Sequence, residues 1–307
     1  WTDEVEHNSE GKLTLTLSGS FDMKGSSSSV TGGSVSATWT LPDIARKSSI
    51  SATNATIGGT STITINKQSD SFTHTLQYSF GSLSGTIATK TANSSVPFDI
   101  PTNFYTQIPN AKSGTCTITC TTYSGNNNVG STTTTITVSC NETDCKPVVD
   151  ATIVDINQTT VDLTNDSSKL IRYKSTARVT ISATAKNSSS ITSRSIEGSS
   201  VSSYLDIQNA SKNSFSVSAT DSRGYSTTIT KTATMINYVQ LTCNANFKRA
   251  NQTSSTVNLT YSGNYFNGSF GATNNTLTMS WKYREKGSST WISGGTLSPT
   301  ISENTYS

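Results

Sequence analysis

A period-two alternation of apolar with hydroxyl-bearing residues constrains this chain more than any other feature. In TCTITCTTYSGNNNVGSTTTTITVSC, residues 115–140, Cys116, Ile118 and Cys120 alternate with threonines before an Asn- and Gly-rich turn. Ile136, Val138 and Cys140 alternate with Thr and Ser after it. Successive side chains of a strand point to opposite faces, so each run has one dry and one wet face. A turn centred on Asn128 pairs residue 116 with 140, 118 with 138 and 120 with 136, which puts all six apolar side chains on one face of a hairpin.

The design recurs. In FSVSATDSRGYSTTITKTAT, residues 215–234, Phe215, Val217 and Ala219 precede a DSRG turn, and Ile229 and Ala233 follow it. Gly224 suits the left-handed position of a type I turn with a G1 bulge. Leu13, Leu15, Leu17, Phe21 and Met23 share a parity, as do Val35, Ala37, Trp39 and Leu41, and Leu277, Met279, Trp281 and Tyr283. No stretch of comparable length shows a helical period, and PTNFYTQIPNAKSG, residues 101–114, has room for one helical turn.

With 32% hydrophobic and 13% charged residues, and about a third Ser and Thr, the composition fits either a disordered tract or many short strands with hydroxyls on their wet faces. Parity kept through so many apolar positions selects the strands. The expected fold class is all-β, tandem immunoglobulin-like β-sandwich domains forming an elongated rod, with a repeat of about 99 residues. Boundaries near residues 45–49, 144–149 and 238 divide the chain. Residues 1–47 supply the last strands of an N-terminal sandwich, 48–147 and 148–238 form two modules, and 239–307 form an incomplete third. The absence of an initiator Met and the end at NTYS read as a piece of a longer protein.

The net charge of +3 is spread without a run of Lys or Arg, so the electrostatic footprint of a nucleic-acid binder is missing. Weak long-range steering and little salt dependence of adsorption are expected. No apolar stretch approaches the roughly 20 residues that span a bilayer, which argues against membrane insertion. The five cysteines lack the CxxC pairs of a zinc site. Cys116 and Cys120 lie roughly 13 Å apart along a strand, too far for a mutual disulfide. Cys140 could face one of them across the hairpin or close a small loop with Cys145, while the bland reading is that the thiols act as small buried hydrophobes.

Catalytic groups are sparse. His74 shares the parity of Phe72, Leu76 and Tyr78, so it is expected to point inward and need a hydrogen-bond partner. His7 precedes a turn and suits capping, and no nucleophile elbow links either histidine to a triad. Asp3, Glu4 and Glu6 cluster near the start, and Asp150 and Asp155 flank an apolar strand, without an accompanying motif. DSRG lacks the alternating oxygen ligands of a calcium loop. The expectation is a protein that is not an enzyme, with no catalytic residue, metal or cofactor. Asn-x-Ser/Thr triplets, at Asn54 and Asn267 among others, arise by chance in such a composition.

Aromatics in turns are the candidate ligand contacts: Tyr225 after DSRG, Tyr265 and Phe266 with Phe270 in GNYFNGSFG, and Trp291 at the end of KGSSTW. Their rings could stack on a sugar while Asn and Ser bond its hydroxyls. Alternatively Tyr265, Phe266 and Phe270 pin a hairpin and Trp291 covers a sandwich edge.

Four segments, EVEHNSEGKLTLTLSGSF, SVSATWTLPDIARKSS, NFYTQIPNAKSGTCTITCTTY and SGNYFNGSFGATNNTLTMSWKYREKGSSTW, resemble minor structural, tail-associated proteins of siphophages and prophages of Gram-positive bacteria, which are built largely of β-sandwiches. The resemblance covers nearly the whole chain. It implies a place in the virion tail, extracellular after release, as a tail-fibre or tail-tip component that carries or forms the host-attachment apparatus. The implied partners are other tail-tip proteins and a host cell-wall polysaccharide or surface protein. A homo-oligomer such as a trimer is allowed, although no heptad or collagen-like repeat enforces it. The alternative is a bacterial cell-surface adhesin stalk made of the same modules.

Overall fold

The computed structural model describes residues 47–307 and, ahead of them, the backbone of three antiparallel strands, Thr2–His7, Leu13–Ser18 and Thr38–Thr40. Leu13, Leu15, Leu17 and Trp39 fall on these strands. Phe21, Met23, Val35, Ala37 and Leu41 lie outside the described residues, as do the side chains of Asp3, Glu4, Glu6 and His7. The chain forms two compact units, residues 1–108 with 112–141, and 109–111 with 142–307. Among the described residues, no strand pairing crosses positions 47, 147 or 238.

In the first unit, residues 49–139 build an immunoglobulin-like sandwich. One sheet holds Ser49–Ala52, Thr60–Asn66 and Ser95–Asp99, and the other is ordered Ala55–Thr56, Asn127–Ser139, Ser113–Ser124, Phe72–Phe80, Leu83–Thr91. Alternate residues of both sheets, among them Ile63, Leu76, Phe80, Phe98 and Ile118, fill the layer between them. Thr102–Gln107 makes a short 3-10 helix that buries Phe104 and Tyr105, in the segment with room for one helical turn.

The register of the first hairpin corrects the expectation. The turn closes on Gly125 and Asn126, with Ser124 opposite Asn127, so Cys116 faces Ile136, Ile118 faces Thr134 and Cys120 faces Thr132. Gly125 adopts φ +57°, which glycine takes without the steric cost of a Cβ. A bulge between Thr122 and Tyr123 absorbs one residue, and Asn128 Oδ1 accepts the Gly130 N–H at 2.8 Å instead of centring the turn. The slip of four residues is even, so parity is unchanged and all six apolar side chains remain buried. None of the five cysteines is joined in a disulfide, and neither arrangement expected for Cys140 forms.

In the second unit, residues 148–236 form another immunoglobulin-like sandwich. One sheet holds Val148–Asp155, Ala177–Thr184 and Tyr204–Ile207, and the other Ser199–Ser200, Ile191–Ile196, Ser214–Asp221 and Ser226–Thr232. A parallel pair, Lys169–Ile171 with Thr234–Ile236, completes it. Phe215, Val217 and Ala219 enter a core with Ile153, Val179 and Ile196, and Ile229 and Ala233 pack on its margin. The DSRG turn behaves as expected: Asp221 N–H donates to Tyr225 O at 2.9 Å, Gly224 N–H donates to Asp221 O at 3.0 Å, and Gly224 has φ +81°.

Candidate functional site: an open aromatic groove

In residues 239–307, strands Asn244–Arg249 and Val257–Asn264 pair Phe247 with Leu259 and Arg249 with Val257. Residues directly opposite in an antiparallel pair share a face, so this face carries Phe247, Val257 and Leu259 together. A hairpin of Met279–Tyr283 with Ile292–Leu297 supplies Trp281, Tyr283 and Leu297. Its bulge after Trp281 brings the indole over Gly294, where a Cβ would lie 2.3 Å from the ring, so only glycine fits there. These six side chains line an open groove of about 700 Å³, within the size range of ligand pockets. In the two sandwiches the corresponding inward faces are covered. Here Phe247 remains 61% exposed and Tyr283 47%.

The Trp281 and Tyr283 rings lie 5.7 Å apart at 32°. Lys282 joins the lining, and Arg284 sits over the Trp291 ring at 4.8 Å. Lys248, Arg249, Lys282, Arg284 and Lys286 all belong to these two hairpins or their turns, and none forms an ion pair with a described residue.

The turn aromatics singled out from sequence fare differently. Tyr225 is 8% exposed, because Asp221 Oδ1 accepts the N–H groups of Arg223 and Tyr225 at 3.0 and 2.8 Å and folds the turn back on the sandwich. Tyr265 is 5% exposed, and its hydroxyl donates to Asn267 Oδ1 at 2.8 Å. Phe266 is half-buried against Phe270, ring centroids 5.0 Å apart. Trp291, 56% exposed, presents its ring to solvent beyond Arg284 rather than covering an edge. Phe247 escaped the sequence reading. The parity of Trp281 and Tyr283 points them inward, and they do point inward, onto a face that no described strand covers.

Several ionisable groups of the sandwiches are engaged in structural bonds. Asp150 pairs with Lys231 at 2.8 Å, and that hydrogen bond holds its carboxyl below the ordinary value. Arg178 grips Asp206 through Nε and Nη2, both at 2.7 Å. Asp155 is buried, accepting four hydrogen bonds. His74 points inward as expected, its Nε2 2.9 Å from Ser48 Oγ. Burial, then the charge of Lys67, hold its imidazole below 6.5 against the Thr91 backbone. Burial pushes the Cys116 and Cys120 thiols up to about 11, so they stay protonated.

The family described as "Siphovirus protein of unknown function (DUF859)" matches residues 2–295, and the chain belongs to it. No curated protein matches. Among solved structures, the chain is similar to Sidekick-1 immunoglobulin domains 1–4, at 10% identity and TM-score 0.34 over 76% of this chain and 60% of that one. It is also similar to Bacteroides ovatus SGBP-B of a mixed-linkage glucan utilization locus, in complex with a heptasaccharide, at 11% identity and TM-score 0.22 over 80% and 64%. A third is mouse cadherin-23 EC22-24, at 13% and 0.23 over 74% and 75%. The chain thus spans less than two thirds of the first two structures, and at these scores the likenesses carry no functional argument.

Proposed function

We propose that this siphovirus protein is a non-enzymatic component of the phage tail that carries or forms its host-attachment end, and that the groove of residues 239–307 contacts host cell-surface polysaccharide. The exposed aromatic lining carries this reading. A sugar presents C–H faces that stack on Trp281 and Tyr283, releasing water from both surfaces. Lys282 and Ser255, also at the groove, offer polar atoms for its hydroxyls, the mix of apolar wall and few polar groups found in ligand sites. The other tail-tip proteins and the host wall are the partners on this reading. The engagement of Asp150, Asp155 and Asp206 in structural bonds supports a scaffold over a hydrolase.

The test is a titration of purified host wall polysaccharide followed by Trp emission, with Trp281→Ala and Tyr283→Ala variants. Each substitution should weaken binding by about 3- to 10-fold, the worth of one stacked ring. Unchanged affinity in both would refute the groove as the contact, and new reducing ends in the mixture would refute the non-enzymatic reading. Antibody labelling of intact virions should decorate the tail, and a chain absent from the particle would refute the tail role.

A further inference from the structure

We infer that the loop GNYFNGSFG, residues 263–271, is a clasp that fastens the 239–307 portion to the sandwich of residues 148–236, so that both move as one body. The two Phe rings of the loop close on Tyr238, the residue where the chain leaves that sandwich. Phe266 lies 5.9 Å and Phe270 6.2 Å from the Tyr238 ring centroid, and 5.0 Å from each other. Offset and tilted ring pairs at such distances are attractive beyond the area they bury. Tyr238 is held from the sandwich side as well, with Lys174 Nζ 5.4 Å from its ring centroid and its own N–H donated to Ile236 O at 2.8 Å.

A second contact joins the loop to the sandwich. Gly271 has φ +107°, and a Cβ there would lie 3.1 Å from the carbonyl oxygen of Thr164, which ends the helix Gln158–Thr164. Backbone meets backbone, which requires the glycine. The loop is braced on its far side too. Asn275 Nδ2 donates to Phe266 O at 2.6 Å, Asn267 N–H donates to Asn304 Oδ1 at 3.1 Å, and Phe270 N–H donates to Thr273 O at 2.8 Å. A loop stiffened by its own portion and seated on two elements of its neighbour transmits orientation instead of yielding as a hinge. This accounts for Phe266 and Phe270 of GNYFNGSFG, and it does not depend on what the groove binds.

The experiment is hydrogen exchange by mass spectrometry on the full chain, comparing wild type with a Phe266→Ala/Phe270→Ala double variant and with Tyr238→Ala. Amides around Tyr238 and at Asn165, just past the helix, should exchange about tenfold faster in both variants, as two ring contacts are lost. Protection of strands Asn244–Arg249 and Val257–Asn264 should keep its wild-type level, showing that residues 239–307 remain folded. Should the double variant lose that signature, Tyr238→Ala, which leaves the loop intact, decides alone. Exchange at wild-type rate around Asn165 in Tyr238→Ala would overturn the clasp.

Discussion

Replacing Asp155 by Ala should loosen the second sandwich severely. The carboxylate ends strand Val148–Asp155 and is 3% exposed. Its Oδ1 accepts the N–H groups of Asn157 and Thr176 at 3.0 and 3.2 Å, and its Oδ2 accepts the hydroxyls of Thr160 and Ser175, both at 2.5 Å. Thr160 has a second acceptor in Asn157 O at 2.9 Å, so its hydroxyl survives the loss. Two amides and the Ser175 hydroxyl do not, and each orphaned buried donor costs about 1–3 kcal/mol. The sum, discounted for relaxation and water entry, is about 3–5 kcal/mol. Asp155→Asn keeps one acceptor oxygen, and the two hydroxyls can turn to accept from its amide, so it should cost about 1–2 kcal/mol. The four tryptophans are Trp1, Trp39, Trp281 and Trp291, so indole emission does not report directly on this sandwich. Hydrogen exchange of strand Ala177–Thr184 in the full chain does, and protection should fall by roughly 10²- to 10³-fold in the Ala variant. Protection within about threefold of wild type would refute the accounting and free Asp155 for a role other than structure.

Three further outcomes follow from the geometry. His74 has a folded pKa below 6.5, so the unfolded chain takes up its proton first as pH falls. Stability of the first sandwich should be level above about pH 6.5 and decline below it, and a His74→Gln variant should lack that step; equal slopes in both proteins would contradict the reading. Native protein at pH 8 should take one thiol label, at exposed Cys243, and five after denaturation, with rapid native labelling of Cys116 or Cys120 as the contrary result. Binding of a neutral polysaccharide should hold level as added salt shortens the Debye length from about 30 to about 8 Å. A steep loss would shift recognition from the rings to the cations beside them.

Parity made the fold class legible, but not the register. The hairpin of Ser113–Ser124 with Asn127–Ser139 keeps the same dry face for any even slip, so apolar spacing could not separate a turn on Asn128 from one on Gly125 and Asn126. The choice lay in the backbone freedom of Gly125 and in a bulge, neither of which alters the pattern of hydrophobicity. The helix Gln158–Thr164 was missed for a related reason. At seven residues it has too few turns to establish a period, and its signals are Asn157, whose side chain accepts the Thr159 N–H, and left-handed Asn165. Such residues also mark ordinary turns throughout a chain this rich in Asn. Tyr225 looked available because it follows a turn, yet the Asp221 cap turns it inward.

The groove shows where averaging hides a site. Inward parity for Trp281 and Tyr283 says which face they occupy, and only the packing of a second layer decides whether that face becomes core or surface. Charge behaves the same way. Lys248, Arg249, Lys282, Arg284 and Lys286 against Glu285 and Glu303 leave residues 239–307 with five less two, the whole net charge of +3. A value that looked thinly spread over 307 residues is therefore equalled by the portion with the exposed rings, while residues 1–238 balance to zero. Over distances of a Debye length it is this local excess, rather than the total, that an approaching ligand feels. The first sandwich, residues 48–147, balances at four charges of each sign, and the second, residues 148–238, holds nine cations against seven carboxylates, so the larger excess lies in the shorter portion with the exposed rings, and a ligand drawn by either rings or charge meets the same surface.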